Sequence, residues 1–264
     1  MELPLSRAEA SRLHWVDEAG STNAELVAHA TGAAAAAWPH LSVLATTTQT
    51  AGRGRLGRDW LAPPGGSLAV SVLLRPAPAL GAEALGWLPL VVGLAMVRAV
   101  RGLGARHDAP ALAAATLKWP NDVLVPAAEG HRKLCGILCE RLPDGGVVAG
   151  AGLNLTLDEH ELPVPTATSL ALAGARVDVD EALAGFLREL RGVIPLLEPG
   201  ATESARSAVA GVCHTIGRAV RVLLPGGATV TGVASGLGVD GCLIVDTTDG
   251  RREVSAGDVT HLRY

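Results

Sequence analysis

The sequence predicts a mixed α+β fold in which a mostly antiparallel sheet packs with helices, followed by a small C-terminal β-barrel module. Three observations predict it. Between Ala115 and Leu155 the runs "ATLKW", "VLV", "KLCGILCER" and "GGVVAGAGLNL" follow one another with short turns, the spacing of an antiparallel meander. Longer stretches with helical spacing, "DEALAGFLRELRGVIPLLE" and "TESARSAVA", come after them. Past Gly211 the texture changes to short β-runs punctuated by Pro-Gly-Gly and two Asp-Gly turns. The division falls at residues 1–211 and 212–264.

The elements follow in order. "RLHWV" reads as a first strand and "DEAGSTN" as a loop. Thr22-x-x-Glu25 is a capping-box pattern that opens a helix running to about His29. Ala33 to Ala37 reads as a flexible loop. "LSVLAT" is the next strand, then comes a glycine–arginine loop, and "SLAVSVLLR" is a third strand. Ala82 to Leu103 is a long apolar helix. Its core, Leu85 to Val97, is too short to span a bilayer and holds a proline, so a buried helix is expected and no membrane. Only a dozen residues precede the first strand, which leaves no room there for a helix-turn-helix.

Composition narrows the function classes. Hydrophobic residues make up 48% and charged ones 18%, the profile of a globular chain. The net charge of −4 gives no global pull toward nucleic acid or an anionic membrane, so an anion site must be local. The start "MELPLSRAEASRLHW" lacks the apolar core of a signal peptide. Cys135, Cys139, Cys213 and Cys242 form neither a CxxC pair nor a disulfide framework, so packing roles and a cytoplasmic location are expected. Lysine stands only at Lys118 and Lys133, while arginine carries nearly all other positive charge. A lysine ammonium can point at one reacting atom, where arginine is a planar fork.

"TAGRGRLGRDW" fits the dinucleotide fingerprint through Gly52, Gly54 and Gly57. That fingerprint needs a helix after the glycine turn, and here "RDWLAPPGGS" follows, with two prolines and two glycines. The acidic ribose partner about 20 residues on is also missing. A nicotinamide or flavin oxidoreductase is therefore set aside, and so is a P-loop, since no GK[ST] ending follows. Arg53, Arg55 and Arg58 alternate with glycines beside Trp60, which suits capture of a phosphate or carboxylate. Downstream, "LKWPND" brackets a turn with Lys118 and Asp122, "RKLCGILCE" begins a strand at Lys133, and "GAGLNL" delivers Asn154 between glycines.

"STN", "QTAGRGRLGRDW", "LKWPNDVLV", "RKLCGILCE" and "GAGLNL", in this order and spacing, resemble the biotin–protein ligase family. The resemblance is strong from about Arg12 to Ala173 and looser through the C-terminal module. It implies a catalytic unit like that of class II aminoacyl-tRNA synthetases. It also implies an activity that joins biotin to ATP, releases pyrophosphate, and passes biotin to one lysine of a biotin carboxyl carrier domain. Ser21, Thr22, Asn23, Gln49, Arg53, Gly54, Arg55 and Lys133 would then contact biotin. Arg53, Arg55, Arg58, Trp60, Lys118, Asn121 and Asn154 would hold ATP. Lys133, Arg55 and Asp122 would be catalytic, with Asp122 on the Mg²⁺ that accompanies ATP. The base for the acceptor lysine is left between Asp122 and solvent. Cys135 and Ala151 depart mildly from the family's usual residues. The missing N-terminal DNA-binding unit implies a ligase that is not a repressor and takes no nucleic acid. A homodimer is left open. Two alternatives remain to be separated by experiment, a binding-only sensor and a lipoate or octanoate transferase.

Overall fold

A computed structural model describes residues 1–76 and 80–262. The chain begins with helix α1 (Pro4–Glu9), strand β1 (Arg12–Trp15), helix α2 (Thr22–Thr31) and strand β2 (Ser42–Thr46). Two two-residue strands, β3 (Gly52–Arg53) and β4 (Asp59–Trp60), frame the glycine–arginine loop. Strand β5 (Ser67–Leu74), helix α3 (Ala82–Arg106) and the short helix α4 (Pro110–Ala113) come next. The meander is β6 (Thr116–Lys118), β7 (Asp122–Ala127), β8 (Gly130–Arg141) and β9 (Val147–Asn154). Helices α5 (Val179–Val193) and α6 (Thr202–Ala210) precede strands β10 (Ala219–Leu223), β11 (Thr229–Leu237), β12 (Leu243–Thr247), β13 (Gly250–Val254) and β14 (Asp258–His261).

The large sheet has seven strands in the order β1-β2-β5-β9-β8-β7-β6. Only the β1–β2 pair is parallel, so the expected mixed, mostly antiparallel sheet is present. The C-terminal strands form a five-stranded antiparallel sheet in the order β13-β12-β11-β10-β14. This corrects the expected barrel. Among the described residues no ladder joins the edge strands β13 and β14, so the sheet stays open. Local turn chemistry predicts hairpins, whereas closure depends on strand tilt and stagger, which turns do not encode.

Period-two alternation separates the two faces of the large sheet. Leu68, Val70 and Val72 of β5, Ile137 of β8, and Ala149 and Leu153 of β9 face the main core beneath α3 and α5. The intervening residues turn to the opposite face. There Leu44, Leu73 and Val148 meet Leu26 and Ala30 of α2 in a smaller core. Beyond that core the same face carries Ser67, Ala69 and Ser71, then Gly150 and Gly152, then Gly136. Ala69, Gly152 and Gly136 lie level across three strands, and Ser71 lies level with Gly150. A floor of small side chains results.

Helix α3 runs 25 residues, three beyond the predicted end. Its stretch Glu83–Arg106 is long and apolar enough to cross a membrane, contrary to the expectation drawn from its shorter apolar core. Here Leu90, Val91, Leu94, Val97 and Val100 are all buried within the protein. Helix α1 was not foreseen. The Asp180 carboxylate builds it by accepting from Leu5 N and Ser6 N, both at 2.8 Å, and from Ser6 Oγ at 2.6 Å. Ala35–Ala37 forms a 3-10 turn where a flexible loop was expected.

Candidate active site

The floor forms the base of a cleft of about 130 Å³, roofed by the glycine–arginine loop and walled by the start of α2 and the β7–β8 hairpin. Ser21 caps α2, its Oγ accepting from Ala24 N at 3.5 Å, while Glu25 reaches back to Gly20 N at 2.8 Å. The cap is therefore one residue earlier than the Thr22 pattern suggested. This frees Thr22 and Asn23 to face the cleft. Gln49 Oε1 accepts from Thr22 N at 2.9 Å, and Ser71 Oγ donates to Asn23 Oδ1 at 2.6 Å. Asn23 Nδ2 donates to Leu138 O at 3.1 Å and to Glu140 Oε1 at 2.8 Å. Thr22, Asn23 and Ser71 are buried, and the bonds to half-buried Gln49 and Glu140 fix them, which suits recognition of a rigid polar ring.

The opposite wall carries the charge. A register shift in the β7–β8 ladder pairs Val123 with Cys135 but Leu124 with Lys133. The backbone of Lys133 is held instead by Thr166 O and Thr168 N, at 2.7 and 2.9 Å. Its ammonium lies 2.7 Å from Asp122 Oδ1 and 5.5 Å from the Trp60 ring centre. Trp60 rests on the glycines. A Cβ on Gly152 would stand 2.5 Å from its ring and one on Gly136 would stand 3.1 Å away. The Trp60 indole nitrogen is buried without a hydrogen-bond partner among the described residues.

The loop holds itself by Gly54 N donating to Arg58 O at 2.6 Å. Leu56 and Gly57 both take left-handed backbone angles, φ 56° and 73°, which costs Leu56 strain that glycine avoids. The protein itself holds each of the three arginines. Arg53 pairs with Glu140 at 2.8 Å, Arg55 donates to Asn121 Oδ1 at 3.2 Å and to Gly257 O at 3.4 Å, and Arg58 pairs with Asp258. Burial pulls Arg55 below its usual range, which Asp258 and Asp122 oppose. Asn121 is locked in turn, its Nδ2 donating to Ile137 O at 2.8 Å.

Two predicted residues lie outside the lining of this cleft. Asn154 is buried, accepts from Ser67 Oγ at 3.2 Å and donates to Thr168 O at 2.8 Å, so both ends of its amide serve the fold. Lys118 ends β6 behind Asp122, where burial lowers its pKa and Asp122 partly restores it. Cys135 faces the apolar core, and burial pushes its thiol far up, so it is no nucleophile. Among the described residues no group of three or more His, Cys, Asp or Glu could hold a metal by itself.

Comparison with known proteins identifies the family. Residues 22–158 match the biotin/lipoate A/B protein ligase family, and residues 215–262 match the biotin protein ligase C-terminal domain. A biotin–[acetyl-CoA-carboxylase] ligase of Mycobacterium tuberculosis is 41% identical over 96% of this chain and 90% of its own length. This chain belongs to the biotin/lipoate A/B protein ligase family. The bifunctional ligase/repressor of Escherichia coli is 32% identical over 75% of this chain and 59% of its own length. A biotin protein ligase from Aquifex aeolicus, solved with biotin and ATP, superposes with a TM-score of 0.75 at 28% identity, covering 96% of this chain and all of that one.

In this family member the structure adds residues that the motifs did not single out. Glu140, one residue before the end of β8, stands behind the cleft lining and binds both Arg53 and Asn23. Alternation from Gly136 would have placed it on the same face as the floor. Asp258 lines the cleft, 200 residues from its partner Arg58. No local pattern could have found it.

Proposed function

We propose that this chain is a biotin–protein ligase. It joins biotin to ATP as biotinyl-5′-AMP with release of pyrophosphate, and transfers biotin to a lysine of a biotin carboxyl carrier domain such as that of acetyl-CoA carboxylase. The carrying observation is the pairing of Lys133 with Asp122, beside Trp60, under an arginine loop and over a glycine floor. Attack of a carboxylate on an α-phosphoryl group brings two anions together, so the site must neutralise charge most strongly at the transition state.

In this reading Lys133 is the point charge that touches both the biotin carboxylate and the α-phosphoryl oxygen. Arg55, braced by Asn121, and Arg53, released from Glu140, supply further donors from the loop. Closure of that loop excludes water from a mixed anhydride that water would hydrolyse. Thr22, Asn23 and Gln49 orient the ring system from the other wall. Mg²⁺ enters with ATP. A single carboxylate fits an ion that is bound largely through the substrate's phosphates, and Asp122 would hold it. When bound, it would supply charge neutralisation at the phosphates. In the second step Asp122 or solvent takes the proton of the acceptor lysine. In this reading residues 1–211 carry biotin and ATP, residues 212–264 cover the nucleotide side, and the reaction is cytoplasmic.

The match of residues 215–262 to a biotin ligase C-terminal domain supports biotin over lipoate. Incubation with biotin, ATP and a carrier domain tests the reading, with mass spectrometry as the readout. A mass gain of one biotin on the carrier, undiminished by excess lipoate, is expected. Adenylate without transfer would instead indicate the sensor, and lipoate competition the acyl transferase.

A further inference from the structure

Asp258 is a carboxylate in a cleft that this reading fills with a polyanion. Unless it organises something else, its charge opposes the nucleotide. What it organises is the glycine–arginine loop. Asp258 opens β14 and sits opposite Leu223 of β10, with the next residue, Val259, buried. Its neighbour Gly257 is pressed against β10, where a Cβ would stand 2.7 Å from Val222 and 2.9 Å from Leu223 O. That close approach needs glycine and fixes the direction of the Gly257 carbonyl. The carbonyl accepts from Arg55, and the Asp258 carboxylate takes Arg58. Asp258 at the start of β14 and Gly257 just before it therefore hold both ends of the 3-10 turn Arg55–Gly57 and its cap Arg58.

We infer that Asp258 is a positioning residue for adenylation, holding the loop through Arg58 so that Arg55 meets the nucleotide. This rests on the ligase reading above. It gives the C-terminal sheet a task within the first reaction step, carried out from outside the large sheet. Asp258 touches neither reacting atom. Its influence passes through Arg58, whose backbone carbonyl is tied to Gly54 N, and so into the loop that bears Arg53 and Arg55. The other charges facing this point are Lys118, Asp122 and Lys133 from the large sheet.

The Arg58 side chain is 64% exposed and that of Asp258 26%. A pair so exposed contributes at most about 1 kcal/mol, which corresponds to about a threefold to fivefold effect on an equilibrium. The test uses the full chain and measures biotinyl-5′-AMP formation with ATP and biotin varied in turn. Asp258→Asn is expected to raise KM for ATP about threefold to fivefold. Its biotin affinity by calorimetry without ATP stays at the wild-type value, and its melting temperature falls by no more than about 2–4 °C. Asp258→Glu restores most of the loss, and Asp258→Asn added to Arg58→Gln costs nothing further. An unchanged KM for ATP in Asp258→Asn, or additive losses in the double variant, overturns the role of Asp258 and leaves the ligase reading intact. A wild-type chain that forms no biotinyl-adenylate overturns the ligase reading and this role with it.

Discussion

Gly150→Ala puts the floor of the cleft to its sharpest test. A Cβ at this position lies 2.1 Å from Asn23 Oδ1 and 2.7 Å from Asn23 Cγ, closer than real contacts allow. The backbone of Gly150 is ordinary strand, so alanine brings no conformational penalty of its own. The clash is the whole effect. Asn23 is short, and three bonds hold its amide, from Ser71 and to Leu138 O and Glu140. Its retreat breaks two neutral bonds at about 1 kcal/mol each and one to a charged group at about 1.5–3 kcal/mol, or about 4 kcal/mol together. Each kcal/mol moves the melting temperature of a chain this size by about 2–4 °C, so the variant melts roughly 8–16 °C lower. Biotin affinity by calorimetry falls with it. Asn23→Ala removes the obstacle, so the double variant melts no lower than Asn23→Ala alone. Additive losses in the double variant would show that the two residues do not collide, and the account of the floor would fail.

The other predictions concern the charged wall, the loop and the junction between the sheets. Lys133→Ala slows biotinyl-5′-AMP formation by about 100-fold or more, equivalent to about 3 kcal/mol of transition-state stabilisation; a near wild-type rate of pyrophosphate release removes Lys133 from the mechanism. Trypsin cuts between Arg53 and Arg58 more slowly once biotin and ATP are bound, because closure orders a loop that glycines leave free; equal cutting with and without ligands argues against closure. His131, His214 and His261 meet with ring centres 3.9 and 5.3 Å apart. Burial, each other, Arg218 and, for His261, Lys118 hold His214 and His261 at about 4, below the usual 6.5. As pH falls below 6.5 the unfolded chain takes these protons first, so the stability present above that pH is lost down to about 4. Solvent screening reduces this to about 1 kcal/mol per ring. Melting curves at pH 7.5 and 5 check it, and His214→Asn should narrow the difference.

Local signals carried most of the elements. The Pro-Gly-Gly and Asp-Gly turns placed the C-terminal hairpins, and alternation in "KLCGILCER" and "GGVVAGAGLNL" placed β8 and β9. Helix α1 escaped because its six residues show no period, and Asp180, 174 residues away from Ser6, builds it. The motifs named nearly every residue that lines the cleft. They also named Asn154, whose amide the fold itself satisfies with Ser67 and Thr168.

The sequence by itself determined the chemistry on offer, two lysines, a glycine–arginine loop, an Asn-Asp turn and strands bare on one face, because residue type and period-two spacing are local properties. Only the tertiary structure decided which charges face one another. Lys133 meets Asp122 through a shifted register, Arg53 meets Glu140 across the cleft, and Arg58 meets Asp258 from the far end of the chain. Such pairings depend on how strands slide and sheets dock, and those are set by packing over the whole molecule.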